Sequence, residues 1–93
     1  MPTPQEVTHD ERRRRFELAE DGKTGFLTYE LHGETIVFTH TIVPPELEGR
    51  GIGGRIVATG LEHARGEGLK VVPRCSFVQG YIERHPEYAD LVA

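Results

Sequence analysis

Four glycines, Gly49, Gly51, Gly53 and Gly54, fall within six residues shortly behind the Pro44-Pro45 step, and no other feature narrows the possible folds as much. Glycine reaches backbone conformations closed to other residues and lets the main chain approach a ligand closely. Behind the cluster, Ile52, Ile56, Gly60 and Ala64 recur every four residues with Val57 and Leu61 beside them. That apolar stripe predicts a helix of about 15 residues. A glycine turn opening a helix leaves first-turn N–H groups pointing outward, where the macrodipole favours an anion. The stretch Glu48-Gly49-Arg50-Gly51-Ile52-Gly53-Gly54 can therefore be a phosphate cradle, or simply a turn that packs helix tightly on strand.

Upstream, the pattern changes period. Phe16 and Leu18 alternate with polar neighbours in a short strand, and Asp21-Gly22 is a turn signal. From Gly25, Leu27, Tyr29 and Leu31 share one face against Phe26, Thr28 and Glu30. After His32-Gly33-Glu34, a strand from Thr35 to about Val43 places Ile36, Phe38, His40 and Ile42 on one side. These strands predict an antiparallel meander, which Pro44-Pro45 ends because proline cannot donate to a ladder.

Downstream, Gly66 and Gly68 are helix terminators, and Lys70-Val71-Val72 is a buried strand halted by Pro73. Strand, glycine loop, helix and strand make a β-α-β unit whose strands should run parallel through a right-handed crossover. A second helix is expected from Phe77 to about Arg84, stopped by His85-Pro86, with Tyr88 and Leu91 folding back as an anchor. The fold class is thus α+β (α/β), a mixed sheet of antiparallel meander followed by β-α-β. Residues 1–6 read as a loose leader and 7–93 as one domain.

With 93 residues, such a chain buries roughly 60–65 % of its unfolded surface, enough for one modest core. A net charge of −4 speaks against nucleic acid as the partner. The run Arg12 to Arg15 is read as solvated and offset by Asp10, Glu11 and Glu17. The single Cys75 excludes an internal disulfide. With neither a secretory h-region nor a membrane-length apolar run, a cytoplasmic protein without membrane or nucleic-acid partners is expected, as a monomer or weak homodimer. His9, His32, His40, His63 and His85 show no ligand spacing with Cys75, so no metal site is expected.

No Gly-Lys-Ser/Thr is present, which excludes a nucleoside-triphosphate P-loop. A dinucleotide-binding loop should follow the first strand of a doubly wound parallel sheet, not a meander and a Pro-Pro step. The order of strand to Val43, Pro-Pro-Glu-Leu, Glu-Gly-Arg-Gly-Ile-Gly-Gly, helix and strand instead resembles the GNAT acetyltransferase superfamily. Its signature loop is Arg/Gln-x-x-Gly-x-Gly/Ala, and Gly51 and Gly53 match the two glycines. The resemblance extends to a small single-domain branch through Thr41-x-Val43-Pro44-Pro45, Pro73-x-Cys75-Ser76-Phe77 and Tyr81-Ile82-x-x-His85-Pro86-Glu87-Tyr88. Glu48 departs from the pattern, standing where Arg or Gln is usual.

The resemblance implies acetyl-CoA (or coenzyme A) bound where two parallel strands splay apart. Thr41, Ile42 and Val43 would pair with the pantetheine arm. Glu48, Gly49, Arg50, Gly51, Ile52, Gly53 and Gly54 would hold the pyrophosphate through backbone N–H groups, with Arg50 and Arg55 as sources of positive charge.

Acetyl transfer to an amine needs a proton acceptor, oxyanion stabilisation and a satisfied leaving thiolate. Cys75, just past the last strand, is a candidate nucleophile if Arg74 and the following helix N-terminus favour its thiolate, or else a small packing residue. Tyr81 aligns with the tyrosine that protonates the leaving thiolate in many GNAT enzymes, or fills core. His40 is a candidate base, or a hydrogen-bonded core histidine. The function expected is an N-acetyltransferase acting directly or through Cys75 on an amine acceptor, with protein and peptide side chains among the candidates. A non-catalytic acetyl-CoA-binding accessory or sensor module is the alternative.

Overall fold

The computed structural model describes residues 7–93; the leader expected at 1–6 lies outside the described residues. Strands β1 (Thr8–Asp10), β2 (Arg15–Glu20), β3 (Lys23–His32), β4 (Thr35–Ile42) and β5 (Lys70–Pro73) form one sheet in chain order. Helices α1 (Ile52–Gly66) and α2 (Ser76–Arg84) and short 3-10 turns at Pro45–Leu47 and Pro86–Leu91 complete the fold. The first four strands pair antiparallel and β5 runs parallel to β4, the mixed sheet expected. Strand β1 had no sequence signal of its own. Three residues are too few to show a period, and they are held by pairing with β2.

Both helices share a single core with the sheet. Phe16, Leu18, Leu27, Tyr29, Ile36 and Phe38 meet the stripe of Ile52, Ile56, Val57, Leu61 and Ala64, with Val78 and Ile82 from α2. At Gly60 α1 lies tight against the sheet, since a Cβ there would stand 3.1 Å from both Leu27 and Phe38 side-chain atoms. The helix ends in a Schellman arrangement. Gly68, at φ +69°, turns the chain so that Leu69 N–H reaches the Ala64 carbonyl at 2.9 Å and Gly68 N–H the Arg65 carbonyl at 3.3 Å.

Two turns follow the sequence closely. Asp21 and Gly22 have φ of +53° and +74°, the paired positive values of a tight hairpin. His85-Pro86 stops α2, and Tyr88 and Leu91 are buried in the core, Tyr88 donating its hydroxyl to Glu62 at 2.7 Å. Leu31, expected on the core face, is 42 % exposed although its cross-strand partner Ile36 is buried.

The larger correction concerns β4. Thr28 pairs with His40 and Tyr29 with Phe38, so Thr39 is an extra, unpaired residue. A one-residue bulge reverses side-chain alternation for the rest of the strand. Thr41 then pairs with core-facing Leu27, and Ile42 with Phe26 on the opposite face. His40 and Ile42 therefore do not share a face with Ile36 and Phe38. Both are exposed, and the core-histidine alternative for His40 falls.

The arginine run forms the β1–β2 turn, with Arg14 at φ +55°, Arg13 paired with Asp10, and Arg15 joined to Glu17 and stacked over Phe26 at 4.8 Å. His9 stacks on Phe16 (4.2 Å), lies 2.5 Å from the Tyr29 hydroxyl through Nε2, and meets the His63 ring edge-on at 4.5 Å.

Burial, and secondly the neighbouring His63, hold the His9 pKa below its ordinary value against the opposing pull of Glu11 and Asp10. The unfolded chain thus binds the proton more readily, so this stabilisation is complete above the ordinary value, about pH 6.5, and disappears as pH falls through the lower folded value. Urea titrations between pH 7.5 and 5 should show wild type losing more stability than His9→Phe. Gly60→Ala should cost about 1 kcal/mol by the same measurement, because the added methyl must displace the packed Leu27 and Phe38 side chains by a few tenths of an ångström.

Candidate active site

The β4–β5 ladder ends at Phe38 and Pro73, whereas β4 stays paired with β3 as far as Ile42. Beyond this point, among the described residues, no strand lies beside that edge of β4. The chain leaves at Arg74, and the Phe38 carbonyl accepts both Arg74 N–H and Cys75 N–H at 3.1 Å. The fork opens into a cleft of about 550 Å³ walled by β4, the glycine loop, the first turn of α1 and Phe77. Of the residues expected to hold the donor, Thr41, Ile42, Val43, Glu48, Gly49, Gly51, Ile52, Gly53 and Gly54 line this cleft, and Arg50 does not.

Local geometry explains the glycines. Gly49 has φ +84°, and Gly51, at the N-cap of α1, has φ +74°, a left-handed region costly for residues with a Cβ. Gly53 has a different reason: a Cβ there would lie 2.7 Å from the Phe77 ring. Arg55 N–H makes the first helical bond, to the Gly51 carbonyl at 3.2 Å. The N–H groups of Ile52, Gly53 and Gly54 precede it and have no helical acceptor.

Electrostatics differ from the sequence expectation at one residue. Arg50 turns away from the cleft and contacts Glu20 (2.5 Å) and Asp21 (2.8 Å) on the β2–β3 hairpin. It pins the loop from behind. Glu48 is exposed and lines the cleft, while its own N–H is used by the Pro45 carbonyl at 3.2 Å. Positive potential facing this cleft is left to the N–H groups of the first turn.

Cys75 is the N-cap residue of α2 and is half-buried. Its sulfur lies 3.3 Å from Thr41 Oγ1, a contact made possible by the bulge. Burial pushes the thiol pKa up, but the Thr41 hydroxyl and the backbone N–H groups of Val78, Phe77 and Thr41 outweigh it and bring the thiol below its ordinary value. Arg74, expected to contribute, is not among these partners.

A second cleft, of about 560 Å³, holds His40, Cys75, Arg74 and Glu30, and shares Thr41 and Ile42 with the first. His40 and Cys75 are thereby brought into one cavity. Tyr81 lines neither cleft: its ring stacks on His85 at 3.9 Å and packs 3.5 Å from where a Gly54 Cβ would be. Burial, then Glu87, raises its pKa. Among the described residues no group of three His, Cys, Asp or Glu side chains converges as a metal site requires, and no helix is long and apolar enough to cross a membrane.

Sequence reasoning missed Phe77 and Leu47 as cleft walls and Thr39 as the bulge. Phe77 had a usable signal, an aromatic two residues past Cys75 at the start of a helix; Thr39 had none, being compatible with either phase of a strand.

A profile of the family described as GCN5-related N-acetyl-transferase matches residues 15–91. Protein NATD1 of Homo sapiens is 36 % identical over 86 residues, covering 89 % of this chain and 76 % of that protein. Protein NATD1 of Gallus gallus is 35 % identical over the same length, covering 89 % and 78 %. The solution structure of a GCN5-like protein from Staphylococcus aureus superposes with a TM-score of 0.76 at 28 % identity, spanning 99 % of this chain and 91 % of that one.

Thr41→Val removes the hydroxyl facing Cys75. Iodoacetamide alkylation of Cys75 at pH 7.5 should slow by a factor of about 3, with its pH profile moved to higher pH. An unchanged profile would show that the backbone N–H groups alone hold the thiol down.

Proposed function

The chain belongs to the GCN5-related N-acetyltransferase family, and we propose that it transfers an acetyl group from acetyl-CoA to an amine acceptor. The observation carrying this is the cleft at the β4–β5 fork, where an unpaired strand edge and a helix N-terminus face the same space.

These residues fit acetyl-CoA. The N–H groups of Ile52, Gly53 and Gly54 receive the pyrophosphate, with glycine giving it close approach. The backbone of Thr41 to Val43 pairs with the pantetheine arm as an added strand would. Phe77 and Ile42, 41 % and 48 % exposed, supply apolar walls. When bound, the thioester supplies an already activated acyl group, so positioning accounts for much of the rate.

His40, exposed in the second cleft, accepts the proton that the acceptor ammonium must lose. In direct transfer the amine nitrogen forms its bond to the acetyl carbon as the carbon–sulfur bond breaks, and the departing thiolate takes up a proton. In a two-step route Cys75 carries the acetyl group between donor and amine, its thiolate favoured by the α2 N-terminus. Tyr81 lines neither cleft, its ring packed beside Gly54 in the first turn of α1, so proton donation from it to the departing thiolate is carried by the family resemblance alone; Tyr81→Phe tests it by lowering kcat and leaving the acetyl-CoA Kd unchanged.

Calorimetric titration with acetyl-CoA should give a micromolar Kd, raised about tenfold or more by Gly51→Val. Glu48→Gln should tighten binding, more at low salt than at high, by removing a like charge beside the pyrophosphate. No heat at several temperatures, together with no thermal stabilisation, would make the loop purely structural. Cys75→Ala should abolish turnover if the acetyl group passes through the thiol and only slow it if transfer is direct. Binding without thiol release for any amine would leave a non-catalytic acetyl-CoA-binding module.

A further inference from the structure

The second cleft carries chemistry that selects among amines. Its walls are Glu30 from β3, Thr39 and His40 from the bulge, and Arg74, Cys75 and Ser76 from the turn into α2. Among the described residues Ile42 is its single large apolar side chain, and its one ring is the imidazole of His40. With a single carboxylate, Glu30, the cleft lacks the several a polyamine needs.

Two opposite charges define what remains. Glu30 is exposed, and the hydrogen bond from His32, helped by the charges of His32, Arg74 and Arg14 and opposed by desolvation, holds its carboxyl pKa below the ordinary value. The carboxylate is therefore ionised at neutral pH. Arg74 is exposed, its backbone N–H fixed on the Phe38 carbonyl at 3.1 Å, and among the described residues its guanidinium has no ion-pair partner. A guanidinium presents a planar fork matched to a carboxylate. The bulge turns His40 into the same space.

We infer that this cleft is the acceptor site, and that it takes a primary amine carrying a carboxylate on the same molecule, the amine directed to Glu30 and His40 and the carboxylate to Arg74. The inference rests on the donor occupying the first cleft, which shares the Thr41–Ile42 wall. A free amino acid and a lysine beside an acidic residue in a peptide present the same pair of groups.

The test uses pairs of amines differing only in the carboxylate: glycine with methylamine, 4-aminobutyrate with butylamine, and 6-aminohexanoate with hexylamine. Each is titrated calorimetrically into the full chain, free and saturated with CoA. Peptides with lysine flanked by glutamate or by glutamine form the second arm. At least one carboxylate-bearing member should bind about tenfold tighter than its partner, a preference that Arg74→Gln removes. Glu30→Gln should weaken both members alike. Preference confined to the small amines identifies a free amino acid, and preference confined to the glutamate peptide identifies a polypeptide acceptor. Equal binding within every pair, binding by none, or a preference that survives Arg74→Gln overturns the proposal. Acetyl-CoA is titrated separately. Its failure to bind removes the donor reading and leaves the acceptor result on the free protein to be judged by itself.

Discussion

The carbonyl oxygen of Phe38 is the point on which the functional geometry turns. Up to it, β5 supplies β4 with a parallel partner; at it, one oxygen takes both Arg74 N–H and Cys75 N–H, and the ladder stops. Buried backbone polar groups must be paired, and an abandoned strand edge is therefore exposed to water or filled by a ligand. The same departure points the α2 N-terminus back at the fork and places the Cys75 sulfur beside Thr41. One hydrogen-bonding decision thus creates the gap and furnishes its wall.

The bulge one residue later completes the division of labour. Without Thr39 as an extra residue, His40 would point into the helix-covered core and Thr41 would face away from Cys75. With it, each is carried to the side where its chemistry is useful, the hydroxyl to the thiol and the imidazole to the second cleft. A bulge costs local pairing and persists where it re-aims a side chain.

Electrostatics follow a related economy. The chain is acidic overall and brings no arginine into the donor cleft, since Arg50 is held by Glu20 and Asp21. Positive potential there comes from N–H groups that α1 cannot bond internally, which need no side chain and suffer no loss of rotamer freedom. The charged side chains Glu30 and Arg74 stand in the other cleft.

Local patterning made most of the architecture legible. The period-2 runs, the Asp21-Gly22 turn, the four-residue stripe of α1 and the Pro44-Pro45 and His85-Pro86 stops each act within a few residues, so the chain declares them without its partners. The glycine loop was legible for the same reason, because positive φ at Gly49 and Gly51 is a demand made on single residues. Tertiary structure decided what depends on two segments meeting. The bulge is a register between β3 and β4, and Thr39-His40-Thr41 fits a strand in either phase. Arg50 could face the cleft or the β2–β3 hairpin, and the placement of Glu20 and Asp21 settled it. Strand β1 exists only through β2, and Cys75 becomes a low-pKa thiol only where Thr41 and the first turn of α2 converge on it. Sequence by itself determined most of the elements and the conformation of the glycine loop; distances across the sheet, which no local pattern encodes, determined which side chains share a cavity.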